Sequence, residues 1–421
     1  MPIELSSITF TEQGDLVPQP EEEEILNNGE EILNNGFANT FAGNDLIIGN
    51  SENSYSDNSI SSNGNRISGI YNSGTLNTDD GNDLIIGTGE PTDLILGSRQ
   101  NIISGIHNIG TLSTGDGNDE ILGVRAYKAD QTLNSDYFGY GIYNQRGIID
   151  TGEGDDRITG ISQGVAGKGI SFYYRSTSSD EKGGTINTGN GNDTITGIGN
   201  STGIELSSFR GTPNGSSIDT GNGDDIIMGI GIDFGMSIGS KGSIDTGNGD
   251  DLITGNGTVG IGVSFLSYLN TGDGNDTITT INSIAGIENS GTINTGNGDD
   301  TIKSSGFIYN GATINTGNGN DSLISDNGFQ GNGKVFLGTG TDYLKGFGSG
   351  RFKGGDGEDR LELTSGSYTI EILETAVNFT QANNNSFNKP IMETFEFEKL
   401  IAGSTTYDFT SLSNGQTILV A

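Results

Sequence analysis

The stretch Thr188-Gly189-Asn190-Gly191-Asn192-Asp193-Thr194-Ile195-Thr196-Gly197 joins a glycine-rich acidic turn to a short strand of β-branched residues. The pattern recurs along the chain, and every copy places Ile or Leu two residues after its Asp. The copies are marked by Asp45, Asp83, Asp119, Asp156, Asp193, Asp225, Asp251, Asp276, Asp300, Asp321, Asp342 and Asp359. Repeats too short to bury their own apolar side chains are typical of a solenoid, whose core forms when neighbouring coils stack.

The repeat favours strands over helices. Thr and Ile lie between Gly, Asn and Asp, and no copy has the i, i+3, i+4 spacing of a helix. The sequence therefore predicts an all-β fold, a parallel β-solenoid of the β-roll or right-handed β-helix type, over residues 38–360. Residues 1–37, which are rich in Glu, are predicted to form an acidic tail or cap. Residues 361–421 lack the repeat and are predicted to form a small C-terminal β cap that covers the open end of the stack.

The coils shorten along the chain. The interval between successive motif Asp residues falls from 38 residues (Asp45 to Asp83) to 17 (Asp342 to Asp359). If the turn and the strand after it keep their length, the missing residues come from the opposite side of each coil. The sequence thus predicts a taper, from three strands per coil near the N-terminal end to two near the C-terminal end.

Composition limits the function. The net charge is −36, so the basic surface that binds nucleic acid is missing, and a cation is the natural partner. A single His and no Cys argue against zinc. The sequence contains no run of 18 apolar residues, the length that a membrane-spanning helix requires. Its first residues lack the features of an N-terminal signal peptide.

The repeated Asp residues predict a metal site. Stacked coils lie about 4.8 Å apart, so a column of carboxylates repels itself unless cations lie between them. Calcium fits a flexible cage of carboxylate and carbonyl oxygens better than magnesium does, and Gly allows turn carbonyls to face the ion. The twelve motif Asp residues are therefore predicted Ca²⁺ ligands. The alternative is that Asp and Asn only close tight turns through local hydrogen bonds.

The turn resembles the nonapeptide G-G-x-G-x-D-x-U-x of the RTX (hemolysin-type) calcium-binding proteins. Gly354 to Glu362 match it fully, whereas most copies begin with Thr. The copies at Asp45, Asp83 and Asp342 depart from it through Phe41, Asp79 and Leu337. Asp93 marks a degenerate copy. This family packs two nonapeptides per coil and this chain has one, so calcium is expected on one edge.

The resemblance implies calcium as the bound ion and type I secretion through an uncleaved signal in residues 361–421. On this basis we expect a secreted, non-enzymatic structural or adhesive protein of the cell surface or extracellular matrix. Expected partners are calcium, further copies of the chain in a filament, or surface polysaccharide.

Two other functions stay open. A β-helix that cleaves polysaccharides would have its catalytic groups in irregular loops, for example Arg175, Asp180, Glu181 and Lys182. Stacked Thr such as Thr194 and Thr196 would instead bind ice or another ordered ligand.

One further motif bears on partners. Tyr71, His107 and Tyr143 occupy equivalent places in three coils and are predicted to form an outward ladder. Such a ladder is either a plain surface stack or an aromatic strip for sugar rings. The neighbouring Asn72, Asn108 and Asn144 are predicted to stack as amide ladders with a structural role.

Overall fold

The fold was analysed in a computed structural model, which describes residues 3–10, 15–17, 31–51, 55–56, 65–90, 102–126, 138–164, 166–172, 182–207, 215–382 and 389–421. Within these residues the chain forms strands and two 3₁₀ turns, Leu5–Ser7 and Phe409–Ser411. The strands make three long sheets, which we call sheets I, II and III. Each coil passes from a repeat turn through sheet I, sheet II and sheet III into the next turn.

Sheet I contains the strands that follow the repeat turns. Equivalent residues pair in parallel register, as in Ile158, Ile195 and Ile227. The strands are Leu16–Val17, Leu46–Ser51, Leu84–Gly89, Glu120–Arg125, Arg157–Ser162, Thr194–Gly199, Ile226–Ile230, Leu252–Asn256, Thr277–Ile281, Thr301–Ser304, Ser322–Ser325, Tyr343–Lys345, Arg360–Leu363, Lys399–Ala402 and the antiparallel Thr405–Asp408. One side of this sheet therefore presents the same position of every repeat.

Sheet II forms the next side of each coil. It is parallel except for Tyr55–Ser56, which pairs antiparallel with the following strand. The strands are Ile3–Glu4, Ile32–Asn34, Tyr55–Ser56, Asn65–Asn72, Ile102–Asn108, Phe138–Asn144, Gly167–Ser171, Thr202–Leu206, Phe234–Ile238, Val259–Val263, Ala285–Asn289, Phe307–Asn310 and Phe329–Gln330.

Sheet III leads into the turns. Its strands are Phe37–Asn39, Thr75–Asn77, Thr111–Ser113, Ile148–Asp150, Thr185–Asn187, Ser217–Asp219, Ser243–Asp245, Tyr268–Asn270, Thr292–Asn294, Thr313–Asn318, Lys334–Gly340, Gly350–Gly357, Ile391–Phe395, Val377–Gln381, Gly366–Ile372 and Thr417–Val420, in spatial order. The last three add antiparallel and form the C-terminal cap together with Lys399–Ala402 and Thr405–Asp408. The predicted solenoid and its β cap are confirmed.

The core consists of inward ladders of apolar side chains from all three sheets. In a strand, alternate side chains point to opposite faces, so each strand places apolar residues inward at fixed positions, one in most strands and two in sheet II strands such as Thr202–Leu206. The twelve Ile and Leu residues that follow the motif Asp by two positions have no exposed surface. Sheet II contributes residues such as Ile204 and Met236, and sheet III contributes residues such as Ile186 and Ile218, all fully buried. Each coil thus buries too little alone and is stabilised by its neighbours.

The taper differs from the predicted one. Sheet II continues as far as Phe329–Gln330, so coils keep three strands along most of the stack. Only the next coil reduces sheet II to a single bridge, between Phe329 and Gly348. The strands themselves shorten, from six residues in Leu46–Ser51 to three in Tyr343–Lys345. The prediction of two-strand coils is therefore wrong except for this last coil, because the turn-following strand does not keep its length.

Sheets I and II meet in a narrow corner. This corner requires a second set of glycines, which lie in the strands and not in the repeat turns. A Cβ on Gly197 would lie 2.3 Å from the backbone oxygen of Gly203 across the corner. The two sheets can approach this closely only because neither residue has a side chain.

The stack begins before residue 38, where the sequence-based boundary was placed. Ile3–Glu4 and Ile32–Asn34 pair with each other in sheet II, and Leu16–Val17 pairs with Leu46 and Ile47 in sheet I. Phe37–Asn39 opens sheet III. The described residues of the predicted tail are thus the first rungs of the solenoid. None of the helical segments in the described ranges is long and apolar enough to cross a membrane.

Candidate metal-binding edge

The repeat turns stack along the corner between sheets III and I. In the turn before Asp193, Gly189 and Gly191 have φ angles of +85° and +140°, a region that side chains disfavour. A Cβ on Gly191 would lie 1.9 Å from the backbone oxygen of Gly154 in the preceding coil. The glycines are therefore required both by the turn and by the close stacking of its backbone.

Two of the departing copies keep this turn conformation. Phe41 and Asp79 stand where the first turn Gly is usual, and their φ angles are +65° and +54°. A non-glycine residue in this region is strained. The stacking of the neighbouring coils therefore imposes the turn even where the sequence does not favour it.

The motif Asp side chains form a continuous column, which we call the inner ladder. The backbone N–H of each Asp donates to Oδ1 of the Asp in the next coil, with N···O distances of 2.7–2.9 Å. Asp193, for example, donates to Asp225, and Asp225 to Asp251, both at 2.8 Å. The twelve residues named from the sequence are thus brought together in a single file.

The second carboxylate oxygen has no such partner. All twelve Asp residues are at most 2 % exposed. In eleven of them, Asp83 to Asp359, Oδ2 is buried and accepts no hydrogen bond of regular geometry; at Asp45 the Thr40 hydroxyl donates to it. Within the described residues none of the twelve forms an ion pair with Lys or Arg. A buried anionic oxygen without compensation is unfavourable.

Burial shifts the ionisation of this column. Desolvation raises the pKa of the motif carboxyls above 3.8, and the neighbouring Asp charges add to the rise at many of them. Where present, the hydroxyl of the Thr that opens the turn lowers the pKa, as does the N–H of the preceding Asp, but both effects are smaller. The pKa reaches about 7 at Asp83, Asp156, Asp225, Asp251, Asp300 and Asp342, and about 6 at Asp119, Asp193 and Asp359.

A second column, which we call the outer ladder, lies one residue before the first. Its backbone N–H groups donate in the opposite direction, to Oδ1 of the equivalent residue in the preceding coil, at 2.6–3.0 Å. Its side chains are exposed. The accepting residues are six Asn and four Asp: Asn44, Asn82, Asn118, Asp155, Asn192, Asp224, Asp250, Asn275, Asp299 and Asn320. Amide and carboxylate therefore interchange in the outer ladder, whereas every rung of the inner ladder is Asp.

The side chains of this edge do not form a metal cage by themselves. In the described part of the chain, no three His, Cys, Asp or Glu side chains converge as they do in a site built from side chains alone. A cation at this edge would therefore bind carboxylates from successive coils and complete its coordination with backbone carbonyls or water, as hard divalent ions do.

The structure adds two carboxylates that the motif search missed, one at each end of the inner ladder. The backbone N–H of Asp15 donates to Asp45 Oδ1 at 2.5 Å, and the N–H of Asp359 donates to Glu398 Oε2 at 2.7 Å. Asp15 precedes Leu16 and Val17 in the Asp-x-apolar pattern, and Glu398 precedes Lys399 and Leu400. The spacing to an apolar residue was the available signal, but neither copy has a glycine-rich turn.

The predicted aromatic ladder forms, but it is buried and not exposed on the surface. His107 lies between the rings of Tyr71 and Tyr143, with centroid distances of 5.1 and 4.8 Å. All three residues are at most 7 % exposed, and His107 Nε2 lies 3.0 Å from Gln145 Oε1. The prediction of a surface strip for sugar rings is therefore wrong.

The amide ladder forms as predicted. The Nδ2 group of Asn72 donates to Asn108 Oδ1, and that of Asn108 to Asn144 Oδ1, both at 2.9 Å. The same amides also bind backbone carbonyls of sheet III, for example the oxygen of Thr111. These buried side chains therefore connect the coils at the corner between sheets II and III.

Most of the residues named for the polysaccharide-cleaving alternative lie outside the described structure, and those named for the ice-binding alternative do not form a regular array. Arg175, Asp180 and Glu181 lie outside the described residues, as does Asp93, and Lys182 is exposed. Thr194 and Thr196 face outward on sheet I, but their columns continue with Ile226 and Met228 in the next coil. The outward Thr residues thus do not form a continuous array.

No family model matches the chain. No curated protein matches it either. Among solved structures, it is similar to the X-ray crystal structure of a hyperactive, Ca²⁺-dependent, β-helical antifreeze protein from an Antarctic bacterium, with 17 % sequence identity and a TM-score of 0.44 over 98 % of this chain and 94 % of that chain.

Proposed function

We propose that this chain is a calcium-binding β-solenoid that acts as a structural or adhesive component outside the cell, with the inner ladder as its ion-binding edge. One observation supports the calcium proposal most. The inner ladder has Asp at every one of its twelve repeat positions, although the adjacent outer ladder accepts Asn or Asp.

The difference between the two ladders concerns the second carboxylate oxygen, Oδ2, which Asp has and Asn lacks. In both ladders a backbone N–H donates to Oδ1, and an Asn side chain offers the same acceptor as Asp. A role limited to closing turns would therefore permit Asn in the inner ladder as well. What Asp alone provides is a second anionic oxygen, Oδ2, which is buried in all of the rungs from Asp83 onward. A bound cation explains this requirement because it compensates the charge and occupies the free oxygen.

Calcium is the ion that suits this donor set. The ligands are oxygens only, they come from separate coils, and the surrounding turns are rich in Gly. Calcium accepts six to eight oxygens in variable geometry, whereas magnesium requires a near-ideal octahedron and retains its waters. The resemblance of Gly354 to Glu362 to the RTX nonapeptide supports the same ion.

The structural or adhesive role rests on the architecture. Three sheets run as one stack from Ile3 to Val420, and the repeat turn with its inward Ile or Leu recurs along it from Asp45 to Leu361. Such a rod presents long, regular columns of side chains, which suit polysaccharide or a further copy of the chain. Secretion by a type I system is proposed from the RTX resemblance alone.

The test is a calcium titration after chelation, followed by circular dichroism, with magnesium as the control. We expect a cooperative gain of β signal or of thermal stability with calcium at concentrations where magnesium has no effect. A chain that binds no calcium, or that responds equally to both ions, would refute the proposal. Secretion is tested separately, by deleting residues 361–421 and measuring export.

A further inference from the structure

The C-terminal cap replaces the repeat turn by a much shorter one. Between Lys353 and Arg360 the last repeat turn has six residues, Gly354 to Asp359. The equivalent strands of the cap, Ile391–Phe395 and Lys399–Ala402, are joined by three residues, Glu396 to Glu398. Glu396 adopts a φ of +52°, and Phe397 is buried against Phe409. The cap therefore continues the stack without the glycine-rich loop.

Glu398 takes the place of the next motif Asp. Lys399 and Leu400 pair with Arg360 and Leu361 in sheet I, and the Lys399 N–H donates to the Asp359 carbonyl at 3.0 Å, as Arg360 does to Asp342 at 2.8 Å. The Asp359 N–H donates to Glu398 Oε2 at 2.7 Å, which repeats the inner-ladder bond.

Most acidic side chains around this end have a basic partner. Glu362 pairs with Lys345 at 2.8 Å, Glu393 with Arg351 at 2.7 Å, and Glu396 with Lys353 at 2.9 Å. Glu358 and Asp408 both face Lys399, at 4.0 and 2.6 Å. In the described part of the chain, Asp359 and Glu398 form no ion pair with a basic side chain. Within the described residues, the two ladder carboxylates therefore differ from their acidic neighbours in having no basic partner.

Asp359 also lacks the Thr hydroxyl that lies beside the motif Asp in most other turns. Gly354 stands at the Thr position, and a Cβ there would lie 2.1 Å from the backbone oxygen of Glu396 and 2.4 Å from Asp359 Oδ2, so no side chain fits at this position. Asp359 has no exposed surface, and its Oδ2 accepts no hydrogen bond within the described structure. This buried oxygen therefore has neither a Thr hydroxyl nor another hydrogen-bond donor within the described structure, and only glycine fits beside it.

We infer that Glu398 is the terminal ligand of the ion column, and that a divalent cation shared by Asp359 and Glu398 holds the C-terminal cap on the solenoid. This inference rests on the proposed function, since it assigns one more site to the same edge. It makes docking of the cap dependent on calcium, because the cation links the last coil to the strand Lys399–Ala402.

The test compares Glu398→Gln with Glu396→Gln in the full chain. Gln retains an oxygen that accepts the Asp359 N–H and removes only the charge, so the fold is kept. Glu396 lies in the same turn, is exposed and is paired with Lys353, so its variant is the matched control. Bound calcium is counted by equilibrium dialysis, and hydrogen exchange is followed at the amides of Lys399–Ala402.

We expect Glu398→Gln to bind one calcium ion fewer than the wild type and Glu396→Gln to bind the same number. In the wild type, calcium at 100 times its dissociation constant should slow exchange of these amides by about 100-fold, and Glu398→Gln should remove this response. An unchanged calcium count and an unchanged response in Glu398→Gln would overturn this inference and leave the proposed function intact. A wild-type chain that binds no calcium would overturn both.

Discussion

The substitution Asp225→Asn is the most direct test of the proposed column of bound cations along the inner ladder. The Asp193 N–H donates to Asp225 Oδ1 at 2.8 Å, and Asp225 lies at the centre of the stack with 1 % of its surface exposed. Asn keeps the acceptor oxygen and replaces Oδ2, which accepts no hydrogen bond of regular geometry, by an NH₂ group. The substitution therefore removes the charge and the free oxygen while the inner-ladder bond remains.

Without calcium, Asp225→Asn should stabilise the protein. Burial raises the pKa of Asp225 from 3.8 to about 7. The unfolded chain ionises first as the pH rises, so at pH 8 the wild type loses about 4 kcal/mol of folding free energy at this residue. Asn avoids this loss but buries an unpaired NH₂ group, which costs about 1–3 kcal/mol. The expected net effect in chelator at pH 8 is a gain of about 2 kcal/mol.

With calcium, the same substitution should destabilise the protein. Each ion bound only by the folded state contributes about 2.7 kcal/mol at 100 times its dissociation constant. Asp225 has a neighbour on each side in the column, so Asn removes one or two ions. When the gain of about 2 kcal/mol expected without the metal is subtracted, the net loss of folding free energy is about 1–3 kcal/mol. The sign of the effect therefore reverses with calcium.

The control is Asp224→Asn, which makes the same change of charge one residue earlier. Asp224 belongs to the outer ladder, where Asn occurs in other coils, and exposed substitutions of this kind stay within about 0.5 kcal/mol. The assay is hydrogen exchange at Ile226–Ile230, in calcium and in chelator, because it reports local stability in a repeat protein. Equal effects of the two substitutions, or a loss at Asp225 that is the same in both conditions, would refute the reasoning.

Three further predictions concern the stack. In chelator the melting temperature should fall from pH 4 to pH 8, because the pKa of Asp83 is raised to about 7 and folding stability is lost as the pH rises through this value; a flat calorimetric profile would contradict this, and saturating calcium should remove the fall. Ile278→Ala should lower local stability by about 2–5 kcal/mol in hydrogen exchange because Ile278 is fully buried, whereas Ile281→Ala, at an exposed position, should change it by less than about 0.5 kcal/mol. Gly223→Ala should disrupt the turn, since its φ is +139° and a Cβ would lie 1.7 Å from the preceding coil, whereas Gly262→Ala, whose nearest neighbour lies at 3.6 Å, should melt like the wild type.

The fold was predictable because every coil repeats the same short sequence pattern. The twelve Asp-x-Ile/Leu copies fix which side chain faces inward, and the same spacing placed Ile186, Ile218 and Ile244 in the sheet III ladder, where all are fully buried. The number of strands per coil was not predictable in the same way. A short coil loses connecting residues and also strand residues, and the interval between motifs does not distinguish the two.

Burial of the aromatic ladder also escaped prediction. Alternation places Tyr71, His107 and Tyr143 on the outer face of sheet II, which is correct for an isolated strand. It gives no information on what covers that face, and Arg66, for example, lies 3.4 Å above the Tyr71 ring. The ends of the inner ladder were missed for a different reason. Asp15 and Glu398 keep the spacing to the strand but lack the turn that marks every other copy.

The column of carboxylates connects the acidic composition to the fold. Two unit charges about 4.8 Å apart repel each other by about 3.5 kcal/mol at an effective dielectric constant of 20. Adjacent rungs of the inner ladder therefore cannot all be ionised in a stable fold without compensating ions. At neutral pH either protons or the proposed cations would relieve this repulsion, and pKa values near 7 at residues such as Asp156 and Asp300 would place the two in competition. Cation binding releases these protons, so calcium affinity should rise with pH across the same interval, and proton release on calcium addition, measured in weak buffer at pH 6.5, is its direct measure. A titration that releases no protons would show that the ions bind elsewhere.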